Sequence, residues 1–350
     1  HKGHCRNCNK PIQGRHPQQT SNALGAAASQ VGPHAYAFAT DVHTGCGVSY
    51  AKTSDLLQRW FDISITRGGL CQAQQRLANA MKPTYGALVQ HVRDSAIVAP
   101  DETGWKVEGV LNWLWVFVTA DVTVYAILPG RGFEQAALVL GEDFAGTLER
   151  DGWAPYRSFE NATHQSCNTH LLRRCNDILE TAERGAARFP TQVKDLLQAG
   201  LDLRDRRDAG LLSPHGLAVA IGRLEARRDR LLAWQPIVEE NARFVKHLRN
   251  ERDALFTYLK QPDVQATNWR AEHAVRYMVP LRKVFGGNRT WSGAHTQQVL
   301  ASVRRTSIQQ GYDPGALLVW ASRSPVPVVA EWLCSDQLPP PDISLLPAPK

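Results

Sequence analysis

The stretch AIVAPDETGWKV at residues 96–107 is the most informative about the fold, together with VLNWLWVFVTAD at 110–121 and VTVYAILP at 122–129. β-Branched and aromatic residues dominate all three runs, and such residues favour the pleated, half-buried surface of a strand. The dipeptides Glu-Gly and Ala-Asp follow the first and second runs and are turn signals. The sequence therefore predicts a three-stranded antiparallel meander over residues 96–128.

The next segment continues with alternating helices and strands. FEQAALVL at 133–140 predicts a short helix, GTLERDGW at 146–153 predicts a fourth strand leading to Asp151, and residues 162–180 predict a short strand or turn entering a helix. A meander followed by such alternation is typical of an α/β, RNase H-like fold, in which helices flank a mixed sheet. In that order of elements the ends of the first and fourth strands lie side by side. We therefore expect Asp101 and Asp151 to meet in space.

Helical patterns dominate the rest of the chain. Leu and Val recur at three- and four-residue steps from about residue 177 to 258, which predicts a run of helices. Residues 49–82 predict two helices joined by a short turn, with Leu56, Leu57 and Trp60 on the apolar face of the first helix. This is the size and pattern of a helix-turn-helix that reads DNA. A helical hairpin that only packs on the rest of the protein is an equally good interpretation.

Composition narrows the class of protein. With 43% apolar and 21% charged residues among 350, the chain is globular and not disordered. Its net charge of +7 and pI of about 9.1 favour nucleic acid as a partner, but only modestly. An uninterrupted run of 18 apolar residues is absent from the sequence, which argues against a membrane partner. The odd number of Cys residues, seven, without regular spacing indicates a reducing compartment.

Acidic residues at the strand ends suggest a metal centre. Two adjacent carboxylates repel each other unless a cation lies between them, and hard oxygen ligands suit Mg²⁺ or Mn²⁺. Glu272, in the predicted helix that begins after residue 267, would supply a third carboxylate. Each residue also has an ordinary interpretation, since Asp101 and Asp151 could form turns and Glu272 could be a surface helix residue. Their order favours the joint interpretation, in which bound metals activate a water or a 3′-hydroxyl for in-line displacement.

Basic residues follow Glu272 closely. Arg276 lies one helical turn beyond it, on the same face. Arg282, Lys283 and Arg289 then occur in a Gly-rich stretch that is suited to binding phosphates. We expect these residues to contact DNA, with an affinity that depends on salt.

A CxxC motif near the start indicates half of a zinc site. In HCRNC, Cys5 and Cys8 would supply two of the four ligands of a tetrahedral Zn²⁺. The remaining ligands are open, because none of the downstream residues has a convincing spacing: His16, His34, His43 and Cys46. A second CxxC motif upstream of His1 is the alternative.

Four motifs together resemble the transposases of the bacterial insertion-sequence 66 family, over residues 45–320: APDETGW, RDGWAPY, CNTHLLRR and TNWRAEHAVRYMVPLRKVFGGNRTWSGAH. The resemblance implies that Asp101, Asp151 and Glu272 form a catalytic, metal-binding DDE triad. It also implies that Cys167 and His170 form a C-x-x-H signature, for which we favour a supporting position over zinc binding. Arg173 and Arg174 would then face DNA phosphate or the acidic neighbours of the core.

The resemblance also suggests how the chain is divided. Its parts would be a partial zinc-ribbon-like segment at 1–46, a helix-turn-helix DNA-binding region at 47–95, the RNase H-like core at 96–176 and 261–323, an all-helical insertion at 177–260, and a poorly ordered Pro-rich tail at 324–350. In the family a segment with paired CxxC motifs usually precedes the helix-turn-helix. The single motif therefore leads us to expect that the chain lacks its N-terminal start.

The activity implied is metal-dependent phosphodiester cleavage at element ends and strand transfer to target DNA. The implied partners are double-stranded DNA, further copies of the chain in a homo-oligomer, and accessory transposition proteins, all at the nucleoid in the bacterial cytoplasm. Two alternatives stay open. One is a catalytically inactive DNA-binding remnant of a transposase, and the other is a metal-dependent nuclease without joining activity.

Overall fold

The computed structural model describes residues 2–13, 31–183, 185–323 and Leu333. His16 and the predicted Pro-rich tail, apart from Leu333, therefore lie outside the described residues. The chain begins with a short antiparallel hairpin and four helices: β1 (Lys2–His4), β2 (Pro11–Gln13), α1 (Pro33–Thr44), α2 (Tyr50–Phe61), α3 (Arg67–Ala80) and α4 (Lys82–Asp94).

A five-stranded mixed sheet forms the centre of the protein. Its elements are β3 (Ile97–Val107), β4 (Val110–Val118), β5 (Thr123–Leu128), α5 (Phe133–Leu140), β6 (Thr147–Arg150) and β7 (Thr163–Ser166). The strands lie in the order β5-β4-β3-β6-β7, with β3 to β5 antiparallel and with β6 and β7 parallel to β3. The predicted meander, short helix and fourth strand are therefore confirmed.

Helices make up the remainder of the chain. They are α6 (Asn168–Thr181), α7 (Arg188–Asp208), α8 (Pro214–Ala233), α9 (Glu239–Asn250), α10 (Thr257–Lys260), α11 (Trp269–Phe285), α12 (Trp291–Gln309) and α13 (Pro314–Arg323). The predicted helical run is confirmed, and the expected division after residue 176 falls inside α6. None of the described helices combines the length and the apolar character that crossing a bilayer requires.

Three main hydrophobic clusters hold these layers together. One face of the sheet packs on α11, where Val116 and Tyr125 meet Ala274 and Met278. The other face packs on α4 and α5, and the end of α3 contributes Ala78 to the same cluster. The segment α6–α10 has a cluster of its own, so it buries apolar surface largely within itself.

The register of β3 corrects one expectation. Asp101 does not end a strand, because β3 continues to Val107 as a hairpin with β4. Only the start of β3 pairs with β6, through Ile97 with Thr147 and Val98 with Leu148. The same offset of 50 residues relates Asp101 to Asp151, and both lie beyond the paired residues of the two strands.

The predicted helix-turn-helix region contains α2 and α3, each with an N-cap hydroxyl. Ser49 accepts the N–H of Lys52 and Thr66 accepts that of Gly69, which satisfies one otherwise unpaired donor at each helix start. Leu57 is buried as predicted, but Trp60 is 76% exposed, so its assignment to a packed apolar face was wrong. The helical pattern of the sequence identified the apolar face of α2, but not which residues of that face are covered by other helices.

Candidate active site

Asp101 and Glu102 are adjacent carboxylates with different surroundings. Successive side chains of a strand point to opposite faces of the sheet. Glu102 is buried and accepts hydrogen bonds from Arg131 at 2.7 Å and from the Tyr156 hydroxyl at 2.5 Å. The Oδ1 atom of Asp101 accepts only the N–H of Glu102, at 2.8 Å, among the hydrogen bonds of the described residues. Asp101 is therefore the carboxylate of this pair that is available to a ligand.

Asp151 follows β6 directly and is held by its neighbours. Its Oδ1 atom accepts the N–H of Trp153 at 2.9 Å, which is the side-chain turn expected of an Asp-Gly sequence. Its carbonyl oxygen accepts from Arg150, whose guanidinium also donates to Glu251 at 2.6 Å. The side chains of Arg150 and Glu251 are 1% and 0% exposed. Asp151 therefore does form the turn that its ordinary interpretation predicts. That turn leaves Asp151 at the end of β6, the strand beside β3.

Glu272 is positioned by the four residues that precede α11. Four hydrogen bonds join residues 265–268 to three other elements. The N–H of Gln265 donates to Glu149 Oε1 (2.5 Å), and the Ala266 carbonyl accepts the N–H of Asn168 (2.9 Å). Asn268 donates its N–H to Cys167 Sγ (3.2 Å) and its Nδ2 to the Pro100 carbonyl (2.8 Å). Glu272 then lies in the first turn of α11, with its N–H bonded to the Asn268 carbonyl. The start of α11 is therefore tied directly to the residue before Asp101.

The other carboxylates act electrostatically on Asp101. Burial, the neighbouring charge of Glu102 and the charges of Asp151 and Glu272 together raise the pKa of Asp101 to about 7, against the opposing effect of the Glu102 N–H. The structure thus brings the three predicted triad residues into one neighbourhood. Their oxygen donors are of the kind that Mg²⁺ and Mn²⁺ prefer, so the residues present fit such an ion.

A second set of potential ligands overlaps this site. Within the described residues, the one group of three metal-binding side chains whose ligand atoms all lie within 4.8 Å is Cys167, His170 and Glu272. Asp101 and Asp151 are not members of that group. His170 Nδ1 is buried, lies 3.6 Å from Glu272 Oε1 and has no hydrogen-bond partner among the described residues.

Cys167 and His170 modify each other's acidity. Burial alone would raise the pKa of the Cys167 thiol, but its interactions with His170 and with the N–H of Asn268 lower it overall. The thiol in turn raises the pKa of His170 against the effect of burial, and the charges of Glu272 and Asp151 add to that rise. Cys167 also accepts from Asn268, so this pair contacts both the segment before Glu272 and Glu272 itself. A supporting position remains our prediction.

A pocket opens beside Asp151, and one of its lining residues, His247, was not predicted from the sequence. Its lining includes Asp151, Cys167, His170, Arg174 and His247. Arg174 comes from α6 and stacks on Phe244 at 4.9 Å, whereas His247 comes from α9. A Cβ atom on Gly152 would lie 2.3 Å from the His247 ring, so glycine permits this close approach. Nothing in the helical pattern around residue 247 distinguishes this His from an ordinary surface residue.

The predicted DNA-contacting residues fall into two groups. Arg173, Arg276, Lys283 and Arg289 are exposed. Arg282 instead donates to Thr103 Oγ1 at 2.8 Å and to the Gly104 carbonyl at 2.7 Å, which ties α11 to β3. The DNA contacts themselves stay predictions.

The Gly-rich stretch after α11 has a structural use. Gly287 has a φ of +104°, and its backbone approaches the carbonyl of Lys106 so closely that a Cβ atom would lie 2.1 Å from it. Asn288 donates its N–H to that carbonyl and accepts the N–H of Glu108. The loop that bears Arg289 is therefore bonded to the tip of the β3–β4 hairpin.

Cys5 and Cys8 lie in the turn between β1 and β2. The Cys5 N–H donates to the Lys10 carbonyl and the Cys5 carbonyl accepts from Asn9, both at 2.8 Å. Backbone N–H groups of Asn7 and Cys8 lower the pKa of the Cys5 thiol. No third ligand joins the two thiols within the part of the chain that the structure describes.

Asp101→Asn is expected to stabilise the metal-free protein at pH 8. The pKa of Asp101 is raised from an ordinary 3.8 to about 7, so the free energy of unfolding falls as pH rises from about 4 to about 7. An amide avoids this cost, which at about 1.4 kcal/mol per pKa unit amounts to roughly 1–3 kcal/mol at pH 8 after allowance for partial exposure, and to less at pH 5. Urea unfolding in EDTA at both pH values measures it. Equal stability of the variant and the parent at pH 8 would contradict the raised pKa.

Comparison with known families gives one match. Residues 28–296 match a family model described as Transposase IS66 family. The match covers more than half of the chain, and it includes the three carboxylates together with Cys167 and His170. No curated protein matches the chain.

Proposed function

This chain belongs to the IS66 family of transposases, and we propose that it cuts DNA at the ends of its element and joins the freed 3′ ends to target DNA. The observation that carries this proposal is the convergence of Asp101, Asp151 and Glu272 from three separate elements, with a pKa of about 7 at Asp101. A carboxylate whose pKa is raised by burial and by neighbouring carboxylates is a mark of functional sites.

The proposed core is RNase H-like. Support comes from the order of the five strands and from their directions, in which an antiparallel meander is extended by two parallel strands. Further support comes from the position of the carboxylates, two of which follow the paired residues of β3 and β6. A ligand there has access to both strands and to the first turn of α11.

Asp101, Asp151 and Glu272 would hold Mg²⁺ or Mn²⁺. When bound, such an ion lowers the pKa of a water or 3′-hydroxyl and stabilises the leaving oxygen of the phosphodiester. Arg150 and the Trp153 N–H hold Asp151 in place, and the bonds of residues 265–268 hold Glu272 in place. Because these groups are held by bonds from other elements, the site loses little entropy when a substrate binds.

Arg174 and His247 would contact the phosphate that enters the pocket beside Asp151. Arg174 offers a charged donor there. Burial lowers the pKa of His247, so its ring is neutral near pH 7 and can donate or accept a hydrogen bond without adding a charge. Both side chains come from α6 and α9, which gives the helical segment a place in substrate binding.

DNA would lie along the exposed basic residues. Arg276 and Lys283 are seven positions apart on α11, and therefore lie on the same side of that helix. We propose that these two, with Arg173 and Arg289, hold phosphates, while α2 and α3 contribute recognition of the element end. A homo-oligomer that bridges two ends, with accessory proteins, belongs to the same proposal.

The test uses a labelled duplex that carries the terminal sequence of the element, incubated with the chain in Mg²⁺ or Mn²⁺ and with an unlabelled plasmid as target. We expect a nick at the element end and, later, label joined to the plasmid, with neither product in EDTA. A duplex with a scrambled end is the control. Nicks without joined product would favour a nuclease, and binding without either product would favour an inactive remnant.

A further inference from the structure

A second pocket lies on the helical segment, between the start of α7 and the end of α8. Its lining consists of Arg188, Gln192, Arg227, Arg230, Leu231 and Trp234. It shares no residue with the pocket beside Asp151. Three arginines therefore surround one cavity at a place to which the proposed chemistry assigns no task.

These arginines have no carboxylate partner among the described residues, a property that Arg206 of α7 and Arg223 of α8 share. Within the described part of the chain, no ion pair or side-chain hydrogen bond involves Arg188, Arg227 or Arg230. Other arginines of the same segment do form ion pairs with carboxylates: Arg204, Arg207, Arg228, Arg243 and Arg252. Like charges around one cavity repel each other. An anion in the cavity would offset that repulsion.

Helix electrostatics do not account for the cluster. Arg230 lies in the last turn of α8, where the helix dipole favours a cation. Arg188 is the first residue of α7, where the same dipole disfavours one, and the N-cap residue Ala187 provides no side-chain acceptor. The start of α7 therefore adds positive potential to the cavity, which favours an anionic ligand.

Trp234 is fixed in place at the edge of the pocket. Arg249 donates to the Leu232 carbonyl at 2.9 Å and to the Trp234 carbonyl at 3.1 Å. Phe189 meets the Trp234 ring edge-on at 5.5 Å, and the Arg188 guanidinium lies 5.7 Å from the ring. A half-buried, immobilised indole beside several guanidinium groups is a platform on which a base can stack.

We propose that this pocket binds the phosphodiester backbone of a single DNA strand that extends from the duplex, with Arg227 and Arg230 on phosphate oxygens and an unpaired base against Trp234. This inference rests on the proposed function, because it takes DNA as the substrate. Guanidinium groups match phosphate oxygens in pairs, and every base offers a face to an indole. An acidic protein segment would use the arginines but not the aromatic ring, so DNA fits the lining better.

The test measures how the affinity of the full chain for an element-end duplex with a single-stranded extension depends on salt, in EDTA so that no cleavage occurs. The variant is Arg227→Ala/Arg230→Ala, and the matched control is Arg206→Ala/Lys246→Ala, which removes the same charge from exposed positions on α7 and α9. Each lost contact to a phosphate of a single strand lowers the slope of log affinity against log salt by about 0.7, so we expect a decrease of about 1.4 in the variant and a much smaller one in the control.

Other results overturn the inference. Equal slopes for parent, variant and control would mean that the pocket does not touch DNA. The same conclusion would follow if the variant lost affinity only for a free mononucleotide or for an acidic peptide, and not for the DNA. A parent chain that binds no duplex at any salt would refute the proposed function as well. Failure of the proposed function is thereby distinguished from failure of this inference alone, in which the parent binds but the variant keeps its slope. Circular dichroism confirms folding, and Arg227→Gln/Arg230→Gln, which keeps more of the side-chain volume, is the second variant.

Discussion

Asp151→Asn is expected to lower metal-dependent cleavage of the element end by roughly 10³-fold, while duplex binding changes by no more than about twofold. Loss of a metal-binding charge removes several kcal/mol of transition-state stabilisation, and about 4 kcal/mol corresponds to that factor. The amide oxygen of Asn can still accept the Trp153 N–H, so the turn after β6 is retained. Single-turnover cleavage of the labelled duplex measures the effect.

The matched control for this substitution is Asp143→Asn. Asp143 is exposed in the loop before β6, and its substitution removes the same charge close to Asp151 in sequence. Cleavage by the control is expected to equal that of the parent chain. If Asp151→Asn cleaved at the rate of the control, Asp151 would not belong to the triad.

Glu251→Ala is expected to lower the free energy of unfolding by about 3–5 kcal/mol, because it leaves the buried charge of Arg150 without its partner. Glu251 is fully buried and accepts from Arg150 at 2.6 Å and from Arg157 at 3.1 Å. Removal of one member of such a pair costs far more than the pair itself contributes. Urea unfolding at pH 7, followed by fluorescence and by circular dichroism, measures the change.

Asp253→Ala provides the comparison. Its carboxylate is 87% exposed and pairs with Arg252 at 2.9 Å, and exposed pairs of this kind contribute about 0–1 kcal/mol. Equal destabilisation by the two substitutions would show that burial of Glu251 has no special cost. Because Arg150 also donates to the Asp151 carbonyl, Glu251→Ala should in addition slow cleavage more than Asp253→Ala does.

The ion pair between Glu251 and Arg150 also connects the helical segment α6–α10 to the sheet. Glu251 follows α9, whereas Arg150 is the last residue of β6, directly before Asp151. His247, one turn earlier on α9, lies against Gly152 on the other side of Asp151. The helical segment is therefore bonded to the core at the residues that flank Asp151, so a change in its packing should alter the site.

The order and type of the elements were predictable from residues 96–180, because alternation and helical spacing are properties of neighbouring residues. The exposure of Trp60 was not predictable in the same way. The spacing of Leu56, Leu57 and Trp60 places them on one side of α2, but where the contacts of that side end depends on α1 and α3. A local pattern identifies a face and not the extent of the surface that covers it.

The candidate site shows the same division. The two Asp residues were expected to meet because the ends of the first and fourth strands lie side by side in this order of elements, although Asp101 in fact lies within β3. The position of Glu272 depends instead on the bonds of residues 265–268 to Glu149, Cys167 and Pro100. Arg150 and Glu251 are likewise 101 positions apart in the chain. The sequence alone established which residue types occur in which kind of element, whereas the tertiary structure established which atoms touch, because hydrogen bonds between residues distant in the chain leave no periodic signal.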